Sequence, residues 1–226
     1  MGKPCFKSEV VYDCMGNALM RVSYEDENGI VTEKNVTMDT YLSIIKDSTY
    51  SNSAPMVRIG RLPKGYVDGL ISADSKDTFS VVVAVPADKR ALSFGHKHWY
   101  VPFPGLIFLF TVSHGNLQKK SCFAYTDKQV SESTELYQYP FGNVSDTGNI
   151  CMGSVTTQNL TDMCDVESII DDFFFSETNN DYYSGKNHTG MKQEELLKRL
   201  KELDTFPEEW LTKNSKGSLT VKDLLH

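Results

Sequence analysis

No run of this chain is long and apolar enough to cross a membrane; the most apolar, Leu106-Ile-Phe-Leu-Phe-Thr-Val112, has the length of a strand. A basic tract is missing too. With 30 acidic residues against 23 Lys and Arg, the formal net charge is −7, which disfavours nucleic acid and an anionic membrane surface as partners. The five cysteines, Cys5, Cys14, Cys122, Cys151 and Cys164, form an odd set with no paired spacing. The opening Met1-Gly-Lys-Pro-Cys-Phe6 lacks an apolar signal core, and Phe6 stands where a myristoylation motif needs Ser or Thr. Reduced thiols and a cytoplasmic location are therefore expected, with the Asn-x-Ser/Thr triplets at Asn143 and Asn159 left as chance. Internal repeats and low-complexity tracts are absent.

What is present is a change of period. A length of 226 residues suits one ordinary domain with additions or two small ones. Residues 6 to 36 read as strands, with an Asn28-Gly29 hairpin signal before Ile30 to Val36, and Thr37 looks like the cap of a short helix. The polar stretch from Ser48 to Pro55 is the best boundary, giving an N-terminal hairpin and helix lobe over 1–52 and a second domain over 53–226. Thr78 to Val85 reads as a well-buried strand, with Ala91 to Phe94 returning from it. Leu106 to Val112 and Leu117 to Tyr125 form a further pair, and the proline-rich Trp99 to Gly105 lies between the pairs, where proline suits an edge or a loop. After Cys151 the period becomes 3.6: Val166, Ile169, Ile170, Phe173 and Phe174 share one helical face, and Leu196, Leu197, Leu200 and Leu203 share another. Thr205 to Glu208 and Thr220 to Asp223 look like caps of two short helices, the first with Pro207 in its opening turn. Ser176 to Gly190 reads as a long polar loop.

Between the strands and the helices lies Tyr137-Gln-Tyr-Pro-Phe-Gly-Asn143-Val-Ser-Asp-Thr-Gly148-Asn-Ile-Cys151-Met-Gly153. Turn signals at Pro140 to Gly142 and Asp146 to Gly148 bracket it, and only Val144 and Ile150 are apolar between Asn143 and Cys151. This predicts an ordered loop that delivers Cys151 to a surface, with the amide of Asn143 eight residues earlier.

The segment resembles the active-site stretch of ubiquitin-conjugating enzymes. There His-Pro-Asn, an apolar residue and a polar turn precede a glycine three places before the cysteine, which is flanked by Ile or Val and by Leu. Here Asn143, Val144, Gly148, Ile150, Cys151 and Met152 occupy those places, while Phe141 and Gly142 depart from the His and Pro. With Pro140-Phe141-Gly142-Asn143-Val144, the resemblance is closer to a bacterial branch of that superfamily, the PRTRC system protein B type of mobile elements. The likeness spans roughly residues 75 to 180 and is strongest from 137 to 175. It implies an α+β fold, an antiparallel meander followed by helices on one sheet face. It also implies two partners, a ubiquitin-like protein and an activating enzyme of the ThiF type.

The chemistry implied is transthiolation, which needs a thiol open to a large acyl donor and a donor to the oxyanion of the tetrahedral intermediate. Cys151 supplies the thiol. Asn143 either donates to the oxyanion, a role typically worth about 10²–10³ in rate, or pins the loop through backbone groups. Gly148 permits a tight turn beside the thiol. No His, Lys or Arg lies within eight residues of Cys151, which suits an enzyme fed an activated thioester better than a hydrolase that activates its own nucleophile.

Asp162 and Asp165 follow where a carboxylate can orient or deprotonate an incoming amine, though acids are equally expected at a helix start. His96-Lys-His98, without nearby carboxylate or thiol ligands, reads as an exposed loop, so no metal or cofactor is expected. A protease dyad of Cys151 with His98, His114 or His188 has no local signature. The competing class is a catalytically inactive binding or scaffold module of a mobile-element-encoded complex, in which Cys151 would be a half-buried hydrophobe.

Overall fold

A computed structural model describes residues 5–13, 15–25, 30–49, 59–151, 159–183, 187–214 and 217–225. The chain divides into two compact units, Met1–Met56 and Val57–His226.

In the first unit β1 (Cys5–Tyr12), β2 (Ala18–Glu25) and β3 (Val31–Val36) form an antiparallel sheet in chain order, followed by α1 (Met38–Thr49). Asp13 closes the first connection, its carboxylate accepting the Met15 and Asn17 N–H groups at 2.8 Å. Thr37 Oγ1 accepts the Thr40 N–H at 3.3 Å, a hydroxyl serving an orphan donor at the start of α1. Met20 and Val36 are the buried apolar residues of this unit among those described. The Asn28-Gly29 turn lies outside the described residues.

The second unit is α+β, with mostly antiparallel strands and few helices. Its first strands are β4 (Tyr66–Ile71), β5 (Phe79–Val85), β6 (Asp88–Phe94), β7 (Lys97–Phe103), β8 (Gly105–Ser113), β9 (Asn116–Tyr125) and β10 (Glu135–Gln138). Then come α2 (Val166–Phe175), β11 (Glu177–Thr178), α3 (Gln193–Lys201) and β12 (Leu219–Thr220), with 3-10 turns at Met163–Asp165, Glu208–Trp210 and Val221–Leu224. Pro207 stands before the second of these turns, at its N-cap, rather than inside it. The large sheet runs β12-β10-β9-β8-β5-β4, and a smaller one runs β11-β6-β7.

The strand pairing differs from the sequence expectation at β11, which lies in the stretch expected as a long loop and pairs in parallel with β6, and at β6 itself. Ala91 to Phe94 does not return onto β5; β6 pairs instead with β7, from Asp88↔Phe103 to Phe94↔Lys97. β5 passes over both and pairs with β8, from Phe79↔Val112 to Val85↔Leu106. The reason is burial. The centres of β5 and β8 are apolar on both faces and need neighbours apolar on both faces, whereas β6 buries only Leu92 fully. Pro102 therefore sits on β7, an edge strand where its missing N–H breaks no ladder.

Two apolar layers follow from this. On one face of the large sheet Val81, Val83, Phe108, Phe110 and Cys122 share a core with Val166, Ile169, Ile170 and Phe173 of α2 and with Leu196, Leu197 and Leu200 of α3. On the other face Val82, Ile107, Leu109 and Phe123 meet Leu136 and Val221. Phe108 stacks edge-on against Phe173 with ring centres 5.3 Å apart. Glu194 and Glu195 open α3 while Lys198, Arg199 and Lys201 close it, each sign at the end its dipole favours. No helix among the described residues is long and apolar enough to cross a membrane.

Candidate functional site

The chain leaving β10 runs inward before it turns. Gln138 to Val144 are buried without a break. Phe141 is 0 % exposed, its ring 4.9 Å from Phe103, 5.5 Å from Tyr139 and 6.2 Å from Phe206. Burial of a ring of this size is worth roughly 1.5–3 kcal/mol. The aromatic that stands at the histidine position of the ubiquitin-conjugating motif is thus a core residue here. Burial among these rings also pushes the Tyr139 hydroxyl well above its usual range.

Asn143 then takes the left-handed conformation, φ +67°, which asparagine tolerates better than most residues. Its side chain is committed to backbone. Nδ2 donates to the Glu177 carbonyl at 2.8 Å, and Oδ1 accepts the Asn179 N–H at 3.0 Å. Its own N–H donates to the Asp181 carbonyl at 2.9 Å. Glu177 belongs to β11, which pairs in parallel with β6 at Ser93 and Phe94, so these bonds tie Asn143 to the smaller sheet.

From Val144 the chain makes a narrow hairpin. Val144 and Ile150, the two apolar residues of the segment, face each other as an antiparallel bridge. The turn is closed by Gly148 N–H to the Ser145 carbonyl at 3.0 Å and by Ser145 N–H to the Asn149 carbonyl at 2.8 Å. Gly148 has φ +86°, and a Cβ there would stand 2.3 Å from the Phe123 ring, so glycine is required twice over. The returning arm adds to β9: Cys122 N–H donates to the Gly148 carbonyl at 2.8 Å and Ile150 N–H to the Lys120 carbonyl at 3.1 Å. Cys151 N–H donates to the Asn143 carbonyl at 2.7 Å, which brings the two ends of the loop side by side.

The Cys151 side chain is exposed, whereas Cys122 is buried and Cys164 half-buried. Burial pushes the Cys164 thiol up, and its Sγ lies 3.8 Å from Asp165 Oδ1. Among the described residues no histidine bonds the Cys151 thiol. His98 Nδ1 pairs with Ser93 Oγ at 2.9 Å, and His96 Nδ1 lies 3.6 Å from Glu177. The described residues also hold no cluster of His, Cys, Asp or Glu fit for a metal. Met152 and Gly153 lie outside the described residues.

Asp162 and Asp165 are engaged at the turn before α2. Asp165 Oδ2 accepts the N–H groups of Thr161 and Asp162 at 2.8 and 2.9 Å, and Asp162 Oδ1 accepts the Arg61 N–H at 3.4 Å. Burial pushes the Asp165 carboxyl up, but these backbone bonds outweigh it and hold it below the ordinary carboxylate value.

One member of the site was missed in the sequence. Gln193 lies on the face of α3 that carries Leu196 and Leu197, it is buried, and its Oε1 accepts the Gly142 N–H at 2.6 Å. The signal was available: a primary amide on an apolar helical stripe is out of place unless both of its ends are bonded.

This α+β arrangement is compatible with the E2-like fold, the class that includes the ubiquitin-conjugating enzymes. The model of prokaryotic E2 family D matches residues 49–214, and the chain belongs to that family. Membership carries an E2-like role in general, with partner proteins in a ubiquitin-like pathway. Nothing matches among curated proteins or among solved structures.

Proposed function

We propose that this chain accepts a ubiquitin-like protein as a thioester on Cys151 from an activating enzyme of the ThiF type and then passes it on. The Cys151 thiolate attacks the carbonyl of the incoming thioester. The tetrahedral intermediate collapses with loss of the activating enzyme's cysteine thiolate, and the new thioester is later resolved by an amine or another thiol. The observation that carries this reading is the exposed Cys151 side chain beside a buried, left-handed Asn143 whose carbonyl holds the Cys151 N–H. Asn143 fixes the loop through its amide. One N–H of Nδ2 is spent on Glu177, and the nitrogen carries a second for an oxyanion. The Pro140 to Val144 stretch supports the PRTRC system protein B type as the branch within the family.

A non-catalytic binding or scaffold module is the second reading, and the engagement of both polar ends of the Asn143 amide favours it. The two are separated by incubating the protein with activating enzyme, ubiquitin-like protein and ATP. Transthiolation yields a reductant-sensitive adduct that is lost in Cys151→Ala. A module binds the ubiquitin-like protein and yields none.

A further inference from the structure

The residue that replaces the motif's proline is tied to a side chain 51 residues downstream. Gly142 donates its N–H to Gln193 Oε1 at 2.6 Å, a bond that proline has no hydrogen to make. A Cβ at Gly142 would stand 1.9 Å from the Asn179 carbonyl oxygen, so any larger residue would push that segment away. The same carbonyl accepts Gln193 Nε2 at 3.1 Å, while the Asn179 N–H goes to Asn143 Oδ1 at 3.0 Å. Two primary amides, those of Gln193 and Asn143, thus grip Asn179 by its carbonyl and its N–H. Gln193 is 1 % exposed, where water offers no substitute for a lost bond.

The geometry points to Gln193 as a positioning residue for the Cys151 thiol. It fixes Phe141-Gly142-Asn143 against residues 177–181. Through the bond from Cys151 N–H to the Asn143 carbonyl, it sets where the nucleophile is presented. Gly142 and Gln193 are two halves of one device, which accounts for glycine at the motif's proline position. The role rests on Cys151 being the acceptor of the thioester.

The test is amide hydrogen exchange on the full chain, with adduct formation measured on the same samples. Gln193→Leu removes both bonds at similar volume. Gln193→Glu keeps an acceptor for Gly142 but turns a carboxylate oxygen on the Asn179 carbonyl, unless the acid is protonated and donates. In Gln193→Leu the amides of Gly142, Asn179 and Cys151 are expected to exchange about tenfold faster or more, while those of β8 keep their rates. In Gln193→Glu burial raises the carboxyl's pKa, so the exchange ratio to the unmodified protein stays near one while the acid is protonated and rises once the pH is high enough to ionise it. A role in helix packing alone would speed α3 and β8 together with the loop. Unchanged Cys151 exchange in Gln193→Leu overturns the proposal, as does loss of β8 protection in step with the loop, or adduct formation at full rate in Gln193→Leu. If the unmodified chain takes no adduct at all, the thioester reading falls, and the exchange data still decide whether Gln193 positions the loop.

Discussion

The two arms of the Asn143 to Cys151 hairpin are fixed by different means. The inward arm is held through side chains as well as backbone: Phe141 in a cage of rings, Asn143 on the backbone of residues 177 and 179, and the Gly142 and Asn143 N–H groups on Gln193 and Asp181. The returning arm is held through its backbone, by the Gly148 carbonyl, the Ile150 N–H and the Cys151 N–H. Backbone fixation leaves a side chain uncommitted. For the thioester proposed on Cys151, the thiol that meets a large acyl donor is better carried on the second arm, and the amide that fixes the loop is better carried on the first.

The contrast is broken most strongly at Phe141. Phe141→Ala removes a ring from a closed core and is expected to cost about 3–5 kcal/mol in denaturant unfolding, with Cys151 labelled by a small alkylating agent at an unchanged rate in the folded state. A loss below about 1 kcal/mol would mean the inward arm is not anchored by packing.

Gly148→Ala attacks the other arm. It forces a side chain into a positive φ and against Phe123, at a cost of roughly 1–3 kcal/mol. Unlike Phe141→Ala, it should change the Cys151 labelling rate, because the arm that carries the thiol loses its join to β9. Equal labelling in both variants would erase the distinction between the arms.

The smallest effect belongs to Asp165, which touches neither arm. Its carboxyl is lowered in the folded state, so its contribution is present above the ordinary carboxylate value of about 4 and is lost as pH falls through the lower, folded one. The melting temperature of the unmodified protein should converge with that of Asp165→Asn across that acid range. The corresponding difference in unfolding free energy at neutral pH should be no more than about 1 kcal/mol. A gap that widens on acidification would reverse the sign.

Much of this was legible in the chain because its causes are local. The Asn143, Gly148 and Cys151 spacing is turn chemistry within nine residues, and the α2 face is a 3.6-residue period that the structure buries at Val166, Ile169, Ile170 and Phe173. What escaped depends on distant partners. β6 and β7 look like a return strand and a proline-rich connection until β5 is given β8 as its neighbour, a pairing that neither segment encodes alone. Phe141 between Pro140 and Gly142 reads as turn, yet Phe103 and Phe206, far along the sequence in both directions, make it core. Gln193 was hidden for the same reason, since its two bonds reach back to Gly142 and Asn179.

The most direct test of the central claim is to map the adduct. After reaction with activating enzyme, ubiquitin-like protein and ATP, mass spectrometry of the unreduced protein should find the modification on the peptide that carries Cys151. A modification on Cys164, on Cys122 or on a lysine, with Cys151 free, would contradict the account.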